Sequence, residues 1–257
     1  MKKNLAVILL LILTSVPVAF GGHGRQAPEW RLMYDFYSNN STLTFETEKY
    51  PTFKAPQPYF DIGVTQISQS GFWSIDVNWL MRIFNNLVLS QSVEQMADDD
   101  IHDVESVRIF RFRGGVSVLD SGPGKFNIAY NLLDWYKIDA DNVEKDEYRA
   151  AGVGFGLGLG HQWLVNEHFC SHVAVCYNFG FNADAKELGG SSLADRYLTA
   201  EADCWYFLTS FLGLTAKVHY ESHDFEQLVI KTYPTEGAGK VDIFTLQLGL
   251  TLAITSW

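Results

Sequence analysis

Polar and apolar residues alternate along many short segments of this chain, and this alternation constrains its fold more than any other feature. In a β-strand successive side chains point to opposite faces, so strict alternation gives one apolar and one polar face. Residues 72–83 show the pattern, with Trp73, Ile75, Val77, Trp79, Met81 and Ile83 on one face and Ser74, Asp76, Asn78 and Arg82 on the other. A soluble sheet buries its apolar face, whereas a closed barrel in lipid turns that face outward. The pattern therefore predicts an all-β protein.

Residues 1–21 have the composition of a secretory signal peptide. Lys2 and Lys3 provide the basic start, an apolar run follows over residues 5–13, and Ala19 and Gly21 suit the small positions of a cleavage site. The run is shorter than the ~20 apolar residues that a spanning helix needs. We therefore expect an exported protein whose single domain covers residues 22–257, without nucleic acid or cytosolic cofactors as partners.

The acidic balance of the chain limits its partners further. The 257 residues carry a formal net charge of −11, and loss of the two leader lysines makes the mature chain more negative still. Such a surface repels nucleic acid and anionic membranes. An acidic barrel can still lie in an outer membrane if divalent cations bridge its loops to lipid phosphates. Aromatic residues make up 14% of the chain, which suits the interfacial girdles of a membrane barrel.

The alternating segments predict twelve strands, with ten as the alternative count. The predicted strands are 30–37, 41–49, 57–68, 72–83, 86–96, 104–119, 124–137, 147–161, 168–182, 196–208, 211–222 and 240–254. From residue 84 onward short connections (84–86, 120–124, 162–167 and 209–210) alternate with longer polar ones (97–103, 138–146, 183–195 and 223–239). This alternation is typical of outer-membrane barrels, which have short periplasmic turns and long external loops. The first two connections, 38–40 and 50–56, break the order.

With its leader, its amphipathic strands, its alternating loop lengths and its terminal aromatic Trp257, the chain resembles bacterial outer-membrane β-barrel proteins. The resemblance is architectural and covers most of the mature chain. It implies a closed antiparallel transmembrane β-barrel in the bacterial outer membrane, with membrane lipids as its partners. Neither the resemblance nor any motif indicates a cofactor.

Six polar residues on three neighbouring predicted strands are expected to line the lumen. They are His172, Glu201, Asp203, Lys217, His219 and Glu221. Folding the last two of these strands about Thr209 and Ser210 brings Asp203 close to Lys217 and Glu201 close to His219. Two interpretations stay open: charge pairing that permits ionised groups in a narrow lumen, or a selectivity or proton-sensitive site.

Alternate glycines from Gly152 to Gly160 share one face of their strand, which predicts strong curvature and room for side chains of neighbouring strands. No metal site is expected, because two histidines four apart on a strand, His168 and His172, are roughly 13 Å from each other. Cys176 and Cys204 lie on faces of opposite phase, so free thiols are expected.

The sequence offers no convincing catalytic residue. Ser222 and His223 are adjacent, and neighbours in a strand face opposite ways. Acidic residues cluster in predicted loops at 98–103 and 139–147, where weak binding of divalent cations is a secondary expectation. The sequence therefore favours a non-enzymatic outer-membrane barrel, either a narrow channel for small solutes or ions or a surface structural protein. The alternatives are a barrel enzyme acting on envelope lipids and a soluble secreted β-protein.

Overall fold

A computed structural model describes residues 28–47, 53–77, 103–105, 108–121, 124–141, 147–164, 166–182, 194–230 and 237–256. These residues form eleven β-strands: β1 (Trp30–Thr47), β2 (Phe53–Ser68), β3 (Gly71–Val77), β4 (Asp103–Glu105), β5 (Arg108–Ser121), β6 (Gly124–Asp141), β7 (Glu147–Leu164), β8 (Phe169–Asn182), β9 (Ala194–Phe207), β10 (Leu212–Ile230) and β11 (Gly237–Ser256). Within the described ranges no helix is long and apolar enough to cross a membrane.

Ten of the strands close into an antiparallel barrel. Each pairs with its two neighbours, and β1 pairs with both β2 and β11, which closes the ring. The three-residue strand β4 stands outside this ring and pairs with β6. At one end β7 and β10 extend past β8 and β9 and pair directly, with Arg149 opposite Val229. The predicted closed antiparallel barrel is confirmed.

The ring formed by the described residues has ten strands, which is the lower of the two predicted values, and the difference from twelve has two causes. The predicted turn at 38–40 is wrong, because β1 runs without a break from Trp30 to Thr47. The polar run from Ser38 to Ser41 continues the alternation between the two faces instead of ending a strand. The predicted strand 86–96 lies outside the described residues, and β3 pairs directly with β5.

The merged first strand also restores the order of the connections. Two to four residues separate the strands at one end of the barrel: 69–70, 122–123, 165–168 and 208–211. At the other end the strands are separated by 48–52, 78–107 with β4 inside it, 142–146, 183–193 and 231–236. We call these the short-turn end and the long-loop end. Short and long connections now alternate without exception.

The outer surface of the barrel carries an apolar belt. On β11 the outward side chains are 37–56% exposed, and they are Phe244, Leu246, Leu248, Leu250, Leu252 and Ile254. Eleven residues of a strand tilted by 35–45° cover roughly 25 Å along the barrel axis, which is the height of the apolar band of outer-membrane barrels. Asp242 comes next on the outer face, and the hydroxyls of Tyr220 and Ser222 donate hydrogen bonds to it. The belt therefore ends in a polar edge.

The glycine row of β7 shapes the interior. Gly152 to Gly160 face inward, and Leu157 and Leu159 on the outer face are 68% and 73% exposed. A methyl group on Gly152 would lie 2.6 Å from the hydroxyl oxygen of Tyr136. Tyr136 of β6 and Tyr197 of β9 lean over this bare strip, and their ring centroids are 5.8 Å apart. As predicted, the missing side chains make room for residues of other strands.

Candidate functional site

All six residues predicted to line the lumen lie inside the barrel. Each is buried, with at most 7% of its surface exposed. They are His172 on β8, Glu201 and Asp203 on β9, and Lys217, His219 and Glu221 on β10. The predicted register of β9 and β10 is confirmed, because Lys217 is paired with Asp203 and His219 with Glu201. The ion pairs, however, mostly reach other strands.

Lys217 binds two carboxylates on strands that the sequence analysis did not connect to it. Its Nζ lies 2.9 Å from Asp35 Oδ2 on β1 and 3.8 Å from Asp76 Oδ1 on β3. The same ammonium lies 4.7 Å from the ring centroid of Tyr37 and 5.4 Å from that of Trp205. Lys217 is fully buried, so its charge is compensated within the barrel rather than by water.

The carboxylates of Asp35 and Asp76 also accept hydrogen bonds from neighbouring side chains. The indole nitrogen of Trp205 donates to Asp35 at 3.0 Å, and the hydroxyl of Thr251 donates to the same carboxylate. The hydroxyl of Tyr37 donates to Asp76 at 2.6 Å. Hydrogen bonds of this kind stabilise an ionised carboxylate in a low-dielectric interior.

Two arginines of β5 complete the network. Arg113 Nη2 lies 2.6 Å from Asp203 Oδ2, and Arg113 also pairs with Glu201. Arg111 Nη2 lies 3.0 Å from Glu201 Oε2. Both guanidinium groups are 1% exposed. Sequence reasoning missed them, although a signal was present: Arg111 and Arg113 alternate with Phe110 and Phe112, as inward and outward residues of a strand do.

The two predicted lumen histidines join this network at its edges. His219 Nε2 lies 3.1 Å from Asp203 Oδ1, and His172 Nδ1 lies 3.8 Å from Glu201 Oε1. His172 also packs on Phe72, with ring centroids 3.7 Å apart. We call the set the charged layer, and its members are Asp35, Asp76, Arg111, Arg113, His172, Glu201, Asp203, Lys217 and His219.

A second group lies nearer the long-loop end and is centred on His223. Nδ1 of this histidine lies 2.8 Å from Asp195 Oδ2, and its Nε2 lies 3.3 Å from Glu221 Oε2. The hydroxyl of Tyr136 donates to the same Asp195 oxygen at 2.6 Å. Tyr197 stacks on the imidazole with centroids 4.4 Å apart. We call this group the His223 clamp, because it joins β6, β9 and β10.

An apolar cluster lies in the interior at the short-turn end. It contains eight buried side chains from seven strands, and they are Met33, Ile67, Phe72, Leu164, Cys170, Trp205, Phe207 and Ala253. Arg31 packs over the ring of Phe207 at 4.0 Å and donates a hydrogen bond to the carbonyl oxygen of Glu167 at 2.8 Å. We call the eight apolar residues the floor cluster.

Ser222 and His223, the adjacent pair considered in the sequence analysis, are not arranged for catalysis. Ser222 faces outward and donates to Asp242 at 2.7 Å, while His223 faces inward with both ring nitrogens beside carboxylates. The two residues therefore cannot act as nucleophile and base for each other. In the described part of the chain, no group of three or more His, Cys, Asp and Glu residues is arranged to hold a metal ion.

All three cysteines are free, and Cys176 is buried inside the barrel while Cys204 faces outward, half-buried.

The acidic clusters only partly lie where the sequence placed them. Of the acidic residues predicted to lie in loops, Asp103, Asp139, Asp141 and Glu147 belong to strands β4, β6 and β7. Residues 98–102 and 142–146 lie outside the described ranges, and so do the predicted leader, residues 1–21, and Trp257.

No protein-family model matches the sequence, and no curated protein matches it either. Solved structures do resemble the fold. The outer membrane protein OprG from Pseudomonas aeruginosa has a TM-score of 0.37 and 12% identity, over 90% of this chain and 98% of that one. The outer membrane protease OmpT from Escherichia coli has a TM-score of 0.41 and 9% identity, over 91% and 99%. Ail, the attachment invasion locus protein of Yersinia pestis, has a TM-score of 0.31 and 8% identity, over 86% and 98%.

All three TM-scores are below 0.5 and all three identities are below 15%. At these scores and identities they carry no argument about what this barrel does. The functional reasoning below therefore uses the residues of this chain alone.

Proposed function

We propose that this protein resides in the bacterial outer membrane as a sealed barrel, and that it acts as a structural protein of the cell surface. The floor cluster carries the proposal. Eight side chains from seven of the ten barrel strands fill the short-turn end, and none of them is more than 9% exposed. An eight-stranded barrel is filled by its side chains, whereas barrels of sixteen or more strands leave a water channel. We therefore expect this ten-stranded barrel, with its floor cluster, to be filled by side chains as eight-stranded barrels are.

The location rests on the outer face of the barrel. A soluble barrel would place polar groups where this one has the apolar belt, and a contiguous exposed apolar surface of that extent is unfavourable in water. We expect the protein to be extracted by detergent from the outer-membrane fraction, and its unboiled form to migrate differently from the boiled form on a denaturing gel. Recovery as a soluble periplasmic or secreted protein would overturn the proposed location.

A planar lipid bilayer tests whether the barrel is sealed. The purified protein should give no conductance steps, because the buried side chains of the floor cluster occupy the interior at that end. The double variant Met33→Ala with Phe207→Ala removes two floor side chains and should conduct. Phe211→Ala is the matched control, because Phe211 is an aromatic residue near the same end that is 59% exposed and lies outside the floor cluster. Steps from the wild-type protein would contradict the sealed barrel.

A narrow ion channel is the second candidate, and the charged layer favours it. Ionisable side chains continue from the His223 clamp through His219 and Asp203 to Lys217. Should the wild type conduct, Lys217→Glu reverses a fixed charge in a confined lumen and should change the cation/anion preference. An unchanged preference would leave these residues as structural pairs.

We propose no enzymatic activity for the barrel, because the geometry of Ser222 and His223 supports none. The purified protein should leave envelope lipids and phospholipid vesicles unhydrolysed. Hydrolysis by the wild type that disappears in both Ser222→Ala and His223→Ala would overturn this and favour the barrel enzyme.

A further inference from the structure

At the long-loop end, two strands of the barrel wall are bypassed. Along most of their length β7 pairs with β8, and β10 pairs with β9. Beyond the end of the β8–β9 hairpin, β7 and β10 pair directly with each other, Arg149 with Val229 and Tyr148 with Ile230. We call these two residue pairs the clasp. At the clasp, strands that are separated by a hairpin lower in the barrel have become neighbours.

Both strands must bend to form the clasp. β7 is still paired with β8 at Gly152, and β10 is still paired with β9 at Phe225. At that level β8 and β9 separate the two strands by roughly 14 Å, which is three spacings of ~4.8 Å, and at the clasp one spacing remains. The bulge in β10 between Phe225 and Leu228 contributes to this bend, because an extra residue bends a strand and increases its twist.

The clasp and a longer β8–β9 hairpin exclude each other. On their other edges β7 pairs with β6 and β10 pairs with β11. The edges that form the clasp are therefore the same edges that bind β8 and β9 lower in the barrel. A hairpin that continued upward would have to separate β7 from β10. Two arrangements that exclude each other in this way are the basis of a conformational switch.

The His223 clamp holds the end of the hairpin below the clasp. Ala194 begins β9, and Asp195 follows it. Asp195 Oδ2 accepts a hydrogen bond from Tyr136 of β6 at 2.6 Å and lies 2.8 Å from His223 Nδ1 of β10. The other ring nitrogen of His223 lies 3.3 Å from Glu221 Oε2. Only the imidazolium form donates from both nitrogens, so this geometry places a cation between the two carboxylates.

We propose that the clasp is a gate at the long-loop end of the barrel and that the His223 clamp holds it shut. In the closed state β7 and β10 meet beyond the clamp, and Asp195, Tyr197 and His223 are at most 2% exposed. Opening separates β7 from β10 and admits water and small solutes to the interior from the long-loop side. The floor cluster at the other end takes no part in this movement. The proposal therefore adds a gated entrance to the sealed barrel, and it depends on strand pairing rather than on the membrane location.

Two native cysteines can report access to the interior at two depths. Cys176 is 4% exposed and lies opposite Thr199, which in turn lies opposite Glu221 of the clamp. Cys170 belongs to the floor cluster and is fully buried. A small water-soluble thiol reagent should reach Cys176 when the clasp opens and Cys170 only when the barrel unfolds. Cys204→Ser is the background for both measurements, because Cys204 faces outward.

A reversible lock tests the gate. Arg149→Cys with Val229→Cys places thiols on directly paired residues, and oxidation should link them across the clasp. Modification of Cys176 is followed by peptide mass mapping of the folded protein in detergent, in the oxidised form and in the same variant after reduction and removal of the reductant. The oxidised form should react about tenfold more slowly, because modification of a buried group requires local opening.

Four results would overturn the gate. They are failure of the two introduced cysteines to link, equal modification of Cys176 in the oxidised and reduced forms, no modification of Cys176 in the reduced form, and modification of Cys170 at the rate of Cys176. The last result would mean that the reagent enters by unfolding of the whole barrel. Protection of Cys170 in both forms, together with slower modification of Cys176 in the locked form, supports the gate.

The role of the clamp is tested without new cysteines. His223→Gln removes the cation between Asp195 and Glu221, so Cys176 should react several-fold faster than in the background variant. His172→Gln is the matched control, because His172 is also a buried histidine near a carboxylate but belongs to the charged layer. It should leave the modification rate of Cys176 unchanged. Equal acceleration in both variants, or no acceleration in His223→Gln, would overturn the role of the clamp.

Discussion

The floor cluster and the charged layer are neighbouring parts of one interior, and they are buried to the same degree, yet they are stabilised in different ways. Met33 and Phe207 in the floor are fully buried, and their only described polar contacts are that of Cys170 Sγ with Met33 Sδ at 3.8 Å and that of the Arg31 guanidinium with the Phe207 ring at 4.0 Å. Arg113 and Lys217 are equally buried, and each contacts at least two carboxylates.

Because the floor cluster is stabilised by apolar packing and the charged layer by ion pairs, the two regions should tolerate different substitutions. Apolar packing is non-directional, so a floor residue can be replaced by another of similar volume at small cost. A buried charge is compensated only by particular partners, and removing one partner leaves the other uncompensated. The charged layer should therefore be sensitive to changes that leave volume almost unaltered.

Removal of Arg113 should have the largest effect. Arg113→Met keeps much of the side-chain length but leaves Glu201 and Asp203 without their shared cation. Loss of one member of a buried ion pair costs about 3–5 kcal/mol. We expect that decrease in the free energy of unfolding, measured by urea titration in detergent micelles. Arg196→Met is the control, because Arg196 is exposed on the outer face of the same barrel. Equal losses in both variants would contradict the special role of the charged layer.

Lys217→Met should be the next most damaging change. It leaves Asp35 and Asp76 without their ammonium partner, but Trp205, Thr251 and Tyr37 still donate hydrogen bonds to them. We therefore expect a loss near the lower end of the same range, about 3 kcal/mol. The triple variant with Asp35→Asn and Asp76→Asn should recover part of the loss, since it removes the uncompensated charges. No recovery would mean that the loss comes from packing.

A substitution in the glycine row should have an intermediate effect. A methyl group on Gly154 would meet the hydroxyl of Tyr197 and would lie 2.8 Å from its Cζ. Gly154→Ala should push Tyr197 away from Asp134 and from the His223 ring, at a cost of about 1–3 kcal/mol. Tyr197→Phe removes the atom in closest contact, so the double variant should be less destabilised than the two single changes together. Additive losses in a double-mutant cycle would contradict a contact between the two side chains.

Much of the fold followed from the sequence because the alternation of side chains is a local property. The inward phase of β9 and β10, the pairing of Asp203 with Lys217 and the inward glycine row all depend only on strand period and on the turn that joins two strands. The one wrong turn, at residues 38–40, arose because a run of four polar residues is typical of a loop. In β1 two of these residues, Asn39 and Ser41, face the interior, and the other two, Ser38 and Asn40, face outward.

The partners in the charged layer could not be predicted in the same way. Arg113 of β5 reaches Asp203 of β9, and Lys217 of β10 reaches Asp76 of β3. These contacts cross the lumen between strands that are not neighbours, so they depend on how the ring closes and on the offset accumulated around it. Local periodicity places a charged residue inside the barrel, but it does not say which residue lies opposite.

The smallest effect is expected in the floor, and it completes the comparison with the charged layer. Met33→Leu changes shape but hardly changes volume, so we expect a loss of about 1 kcal/mol or less. Asp203→Asn is the counterpart in the charged layer: it is closer to isosteric, yet it removes the charge that compensates Arg113 and lies 3.1 Å from His219 Nε2. Urea titration of both variants under one condition compares them directly. If the aspartate change costs no more than the methionine change, charge matching does not distinguish the two regions, and packing alone stabilises the interior.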